Sequence, residues 1–207
     1  MNLNLSGRIG LFGGTFNPLH SAHLIVAKAA YEQFGLSKIV FIPSGIPPHK
    51  EIQANVTKED RYAMVKEAIE PYGYFSVSRV EIDREGPSYT IDTIRALEAD
   101  YPQGLCFIVG ADLLMQIETW KNPRELLTSV PFLIAPRNGI SKETFAAPPF
   151  DRAMIFFLEM EEVDLSSTWV RAQIEQGEGI PDCVPEPVAN YIEEHGLYQH
   201  REPVQAK

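Results

Sequence analysis

Arg8-Ile9-Gly10-Leu11-Phe12-Gly13-Gly14-Thr15-Phe16-Asn17-Pro18-Leu19-His20-Ser21-Ala22-His23 changes its periodicity partway along. The apolar run 8–12 reads as a buried strand halted by a tight turn at Gly13-Gly14. Beyond Pro18, residues 22–34 read as a helix, with Leu24, Ile25, Ala27, Lys28 and Tyr31 on a mostly apolar face. This strand–turn–helix unit recurs downstream. Residues 38–42 form a second apolar run, cut off by Pro43. Thr57 with Asp60 three residues on is a capping-box-like start, and Met64, Val65, Ala68 and Ile69 follow at helical spacing. Phe75 and Val77, with the later Val80 and Ile82, suggest a third, partly alternating strand, and Ile91, Ile94 and Leu97 predict a helix over 90–98. Residues 105–109 are five apolar residues ending at Gly110, the pattern of a strand covered on both faces.

Strand and helix thus alternate four times before residue 115, which predicts a parallel sheet with helices on both faces. Residues 131–135 and 154–158 supply two more strands. A helix over 167–176 follows, with Ser166 as N-cap and Gly177 near its stop. A last helix from about Pro187 to Glu194 ends at Gly196, so the C-terminal portion is small and helical. Segments 43–48 and 146–150 read as loops. Residues 1–198 are expected to form a single domain and 199–207 a loose tail.

Composition narrows the function classes. At 207 residues and roughly 150 residues per domain, one domain is expected. Eighteen Lys and Arg against 28 Asp and Glu give a net charge of −10. Such a chain is a poor general binder of nucleic acid or anionic membrane, so phosphate binding would need a locally positive pocket. The charge-free stretch 9–27 could span a bilayer by length. It holds Gly13, Gly14, Asn17, Pro18, His20, Ser21 and His23, which argues against a membrane helix and against a signal peptide. Cys106 and Cys183 are too few for a disulfide scaffold or a cysteine-rich zinc site. A cytoplasmic location is expected; a homo-oligomer is left open.

In an open parallel sheet, ligands gather at the carboxyl ends of the strands, where the strand order reverses. Gly13-Gly14-Thr15, the segment 43–50 and Gly110-Ala111-Asp112 each follow a strand. No Gly-x-x-x-x-Gly-Lys-Ser/Thr loop, Gly-x-Gly-x-x-Gly fingerprint or Gly-x-Ser-x-Gly elbow is present. The glycines of the first turn let a ligand approach the backbone, and the helix that follows aims free amides at the same spot. His20 and His23, three apart, share a face of its first turn. No third ligand of metal-binding spacing accompanies them, and no protein metal site is expected.

Gly14-Thr15-Phe16-Asn17-Pro18 with His20-Ser21-Ala22-His23 resembles the nucleotidyltransferase signature G-T-F-D/N-P-x-H-x-G-H, and Leu165-Ser166-Ser167-Thr168-Trp169-Val170-Arg171 resembles its partner motif I-S-S-T-x-I/V-R. Three further segments narrow the resemblance to the bacterial nicotinate-nucleotide adenylyltransferases. These are Pro43-Ser44-Gly45-Ile46-Pro47-Pro48-His49-Lys50, Gly86-Pro87-Ser88-Tyr89-Thr90-Ile91-Asp92-Thr93, and Gly110-Ala111-Asp112 followed by Trp120. The resemblance runs in order from Gly13 to Glu194-His195-Gly196-Leu197-Tyr198. Two departures stand out. Ala22 occupies a position that is usually glycine, and Arg137-Asn138-Gly139 replaces the usual Arg-Pro-Gly.

The resemblance implies a Rossmann-like, doubly wound α/β fold. It implies direct in-line transfer of AMP from ATP to nicotinate mononucleotide, giving deamido-NAD and pyrophosphate in NAD biosynthesis. Catalytic roles fall to His20, His23 and Arg171. ATP contacts fall to Gly13, Gly14, Thr15, Phe16, Gly110, Asp112, Arg137, Ser166, Ser167 and Thr168, and acceptor contacts to His49, Lys50, Ser88, Tyr89, Thr90 and Trp120. Mg2+ would be held mainly by ATP phosphates. The alternatives are another phosphorylated acceptor (nicotinamide mononucleotide or phosphopantetheine) or a noncatalytic nucleotide-binding module.

Overall fold

The computed structural model describes residues 4–48, 52 and 55–199. Six strands pair in parallel throughout: β1 (Ile9–Gly14), β2 (Lys38–Pro43), β3 (Phe75–Val77), β4 (Leu105–Gly110), β5 (Phe132–Ala135) and β6 (Ile155–Phe157). Their order across the sheet is β3-β2-β1-β4-β5-β6. From β1 the chain winds outward to β3, returns to β4 beside β1, and winds the other way. The crevice above β1 and β4 is therefore the point where strand order reverses.

Helices α1 (Ser21–Phe34), α2 (Lys58–Ile69), α3 (Thr90–Glu98), α4 (Ala111–Leu114), α5 (Pro123–Ser129), α6 (Ser167–Glu175) and α7 (Glu186–His195) complete the chain. The two-residue pleat of β1 sends Phe12 to one face and Leu11 to the other. Phe12 and Phe41 pack with Ala27 of α1, Met64 of α2, Val170 of α6 and Val188 of α7. Leu11 and Phe107 pack with Ile94 of α3 and Leu126 of α5. Both faces are thus covered, which explains the near-continuous apolar runs of β2 and β4.

Capping chemistry sets several boundaries. Thr57 Oγ1 accepts from the Asp60 N–H at 3.1 Å while the Asp60 carboxylate accepts from the Thr57 N–H at 2.7 Å. That carboxylate also accepts from the Tyr191 hydroxyl at 3.0 Å, tying α7 to α2. Ser166 caps α6 as expected, its Oγ accepting from the Trp169 N–H. One expectation is corrected: β3 ends at Val77. Val80 and Ile82 lie in a turn closed by Asp83 N–H donating to the Arg79 carbonyl, because Ile82 is buried as a loop anchor. No helix among the described residues is long and apolar enough to cross a membrane.

Candidate active site

A cavity of about 350 Å³ opens at the carboxyl ends of β1, β4 and β5, within the range of small-molecule sites. Its walls come from the turn after β1, the first turn of α1, Gly110 and Asp112, Ala135 to Arg137, and the start of α6. His20, His23 and Arg171, separated by most of the chain, line it together, as do Gly13, Gly14, Thr15, Phe16, Ser166, Ser167 and Thr168.

The two imidazoles lie side by side with ring centroids 3.9 Å apart. The His20 backbone N–H donates to His23 Nδ1 at 3.2 Å. With Nδ1 accepting, Nε2 is the nitrogen of His23 left to donate. His20 is only 4% exposed. Burial, and then the positive charge of Arg137, push its pKa down to about 4, so it too is neutral at pH 7. Its Nδ1 is buried without a hydrogen-bond partner among the described residues. A neutral His20 supplies directed hydrogen bonds but no charge, so other groups must bring positive charge to the cavity.

Arginines and helix ends supply it. Arg171 Nη1 donates to the Asn17 carbonyl at 2.7 Å and Nη2 to Thr168 Oγ1 at 3.2 Å. Ser167 Oγ donates to the Pro18 carbonyl at 2.9 Å. These bonds bring the start of α6 against the turn after β1, so two helix N-termini face one cavity. Within that turn Phe16 is buried at φ +48°, a left-handed conformation that a bulky residue adopts only when its surroundings over-determine it. Its ring lies so close that a Cβ on Gly14 would meet it at 2.9 Å. Asn17 is held again from the other end of the chain, where the buried Tyr198 hydroxyl donates to its Oδ1 at 2.7 Å.

Arg137 lines the cavity, and two of its donors are already committed: Nη1 to the Val163 carbonyl at 2.6 Å and Nη2 to the Leu165 carbonyl at 2.9 Å. The Glu162 carboxylate reciprocates, accepting from the N–H groups of Asn138 and Gly139. Those amide bonds hold the Glu162 carboxyl below the usual range. This double clasp explains the Asn138 departure. Its φ is +54° and its N–H is a donor; proline could supply neither. Ala22, the other departure, lines the cavity with its methyl in the wall.

The expected acceptor residues sit differently. Ser88, Tyr89, Thr90 and Trp120 do not line this cavity. Ser88 Oγ accepts from the Gly45 N–H at 3.0 Å, Lys121 lies over the Tyr89 ring, and Thr90 begins α3. Trp120 packs edge-on against Phe107, and a Cβ on Gly13 would meet the Phe107 ring at 3.1 Å. The Phe107 ring therefore lies beside Gly13, which lines the cavity. His49 and Lys50 lie outside the described residues.

Sequence reasoning missed Arg61 on α2. It is fully buried, with Nη1 donating to the Thr15 carbonyl at 2.8 Å and Nη2 to the Gly45 carbonyl at 3.0 Å. Burial lowers its pKa to about 10, still cationic at neutral pH. A signal was present: Arg61 precedes Met64, Val65 and Ala68 by three, four and seven residues, so the apolar face of α2 carries an arginine. Tyr198 stands in the closing segment of the resemblance, which assigned it no role.

A model of the cytidylyltransferase-like family matches residues 11–173. A Desulfitobacterium hafniense protein named "Probable nicotinate-nucleotide adenylyltransferase" is 41% identical over 207 aligned residues, covering 96% of this chain and all of the relative. A Carboxydothermus hydrogenoformans protein of the same name is 39% identical, covering 93% and 98%. Among solved structures, the nicotinic acid mononucleotide adenylyltransferase of Plasmodium falciparum complexed with NaAD superposes with a TM-score of 0.76 at 18% identity, over 92% of this chain and 97% of that one. That likeness bears out the Rossmann-like fold.

Proposed function

The chain belongs to the cytidylyltransferase-like family and, within it, to the nicotinate-nucleotide adenylyltransferases; from that premise we propose that it transfers AMP from ATP to nicotinate mononucleotide, forming deamido-NAD and pyrophosphate. The observation that carries the reading is the meeting of His20, His23 and Arg171 in one cavity at the reversal of strand order. A noncatalytic module holding one phosphate has no use for this convergence.

The acceptor phosphate is mostly a dianion at neutral pH, its second pKa being about 6. It attacks the α-phosphorus in line without a general base, so alignment and charge stabilisation are what the protein must provide. His23 Nε2–H and the neutral His20 donate hydrogen bonds to the α-phosphate. Arg171, with Ser166 to Thr168 at the start of α6, receives the charge that develops on the leaving pyrophosphate. Gly13 to Phe16 present backbone to the phosphates, and Gly110 and Asp112 border the ribose. Arg137 positions the wall of Val163 and Leu165 through their carbonyls.

A magnesium ion would be held mainly by the phosphates of ATP. Among the described residues no three His, Cys, Asp or Glu side chains gather as a metal cage, and Asp112 is the one carboxylate lining the cavity. Asp112 could add a single oxygen to a cation held by phosphate oxygens, where the cation would screen their charge.

On the acceptor side, the Phe107–Trp120 wall offers a face for a pyridine ring, and the first turn of α3 at Tyr89 and Thr90 offers amides to a carboxylate. Donors aimed at a carboxylate would be left unpaired by an amide NH2, so nicotinate is favoured over nicotinamide. Pyrophosphate release from ATP is the test, with nicotinate mononucleotide, nicotinamide mononucleotide and phosphopantetheine as acceptors. Release is expected with the first, at kcat/KM well above the others. Equal values for the two pyridine nucleotides would refute the carboxylate argument, and release only with phosphopantetheine would refute the assignment.

A further inference from the structure

Arg61 borders no part of the cavity, yet one planar guanidinium spans two loops of different strands. Nη1 holds Thr15, in the turn after β1 that lines the cavity, and Nη2 holds Gly45, in the loop after β2 that leads toward His49 and Lys50. The Gly45 side of this tie is built closely. Its N–H donates to Ser88 Oγ, and a Cβ there would lie 2.1 Å from the Glu81 carbonyl oxygen, so glycine is required. The carboxylate nearby is Glu81, 7% exposed, which pairs with Arg84 Nη2 at 3.6 Å and accepts from Thr93 Oγ1 at 2.5 Å, so among the described residues Arg61 itself has no carboxylate in bonding range. Burial, its leading influence, raises the Glu81 pKa.

Fold stability is a weak reason for this arrangement. A buried guanidinium held by carbonyls alone carries a desolvation cost that well-packed apolar residues of the same volume would not. Arg61 also leaves its Nε buried without a partner among the described residues, a further cost. What an apolar residue cannot do is fix the spacing between two carbonyls on separate loops. Lysine, with a single nitrogen on a flexible stem, cannot reproduce the fork.

We propose that Arg61 is a positioning residue for adenylyl transfer: its guanidinium sets the separation between the donor-side turn at Thr15 and the acceptor-side loop at Gly45, and with it the distance from the attacking phosphate to the α-phosphorus. The inference rests on the adenylyl-transfer reading. A misplacement of about 1 Å is enough to lower turnover by about 100-fold.

The test compares wild type, Arg61→Lys and Arg61→Met in steady-state kinetics with ATP and nicotinate mononucleotide, with direct ATP binding and thermal melting measured alongside. The expected result is a kcat lower by about 10-fold in Arg61→Lys and about 100-fold in Arg61→Met, with ATP affinity within about threefold of wild type. A merely structural arginine would lower the melting temperature and leave kcat per folded molecule unchanged, which would overturn the proposal. If Arg61→Met does not fold, Arg61→Lys decides alone, and wild-type kcat in that variant overturns it. Wild-type protein that forms no deamido-NAD fails the reaction assignment instead, an outcome seen before any variant is compared.

Discussion

Acidification should unfold the ligand-free protein partly through His20. Its pKa is about 4 in the folded chain, against 6.5 for an ordinary histidine. Between those values the unfolded chain takes up a proton that the folded chain refuses. Stability from this group is therefore complete above about pH 6.5 and drains away as pH falls toward 4. The difference amounts to roughly 3 kcal/mol in the limit, of which about 2 kcal/mol is lost between pH 7 and pH 5. For a chain of this size that is a fall of about 4–8 °C in melting temperature. The assay is urea or thermal unfolding at pH 7, 6 and 5 for wild type and His20→Gln, whose amide does not titrate. Subtracting the two curves removes the carboxylates and the other four histidines, which both proteins share. The wild-type advantage should shrink by about 2 kcal/mol over this range. Saturating ATP should flatten the slope, since phosphate charge beside the imidazole opposes the effect of Arg137. Parallel curves for the two proteins would refute the burial argument for His20.

Two more substitutions test the supports of the site. Asn138→Pro removes the N–H that donates to Glu162 and demands a φ that proline cannot adopt. Thermal melting should fall by about 2–8 °C, and KM for ATP should rise as the wall at Val163 and Leu165 loosens; unchanged melting and KM would refute the clasp. Tyr198→Phe strips the donor from the buried Asn17 Oδ1. Denaturant unfolding should register a loss of about 1–3 kcal/mol, and full stability would mean that Asn17 finds another partner.

The legible parts of this molecule were those whose cause is local. The helix expected over 90–98 is observed as Thr90–Glu98, and Ser166 caps α6, because periodicity and capping act within a few residues. The short helices α4 and α5 were not anticipated: four and seven residues do not establish a period. Phe75, Val77, Val80 and Ile82 mimic one alternating strand, but the chain turns after Val77, and burial of Ile82 in that turn supplies the same pattern. At the site, His20, His23, Ser166 to Thr168 and Arg171 were readable because each group sits within one helical turn. Arg61, Glu162 and Tyr198 were not. They act on Thr15, on Asn138 and on Asn17, partners that only the folded chain brings near.

How a chain of net charge −10 accommodates a polyphosphate follows from how its arginines are used. A guanidinium has five N–H donors in a rigid plane. Arg171 and Arg137 each commit two of theirs to protein oxygens, which locks the orientation of the plane, and among the described residues neither is bonded to a carboxylate. Arg61, deeper in, commits Nη1 and Nη2 to loop carbonyls. Arg171 and Arg137 thus do two jobs: they hold neighbouring segments of the cavity wall together, and they place positive charge on it, while Arg61 ties the turn after β1 to α2. The acidic surface therefore need not be neutralised to admit a nucleotide. A field confined to one crevice, with two helix N-termini added to it, suffices within a screening length of about 8–10 Å.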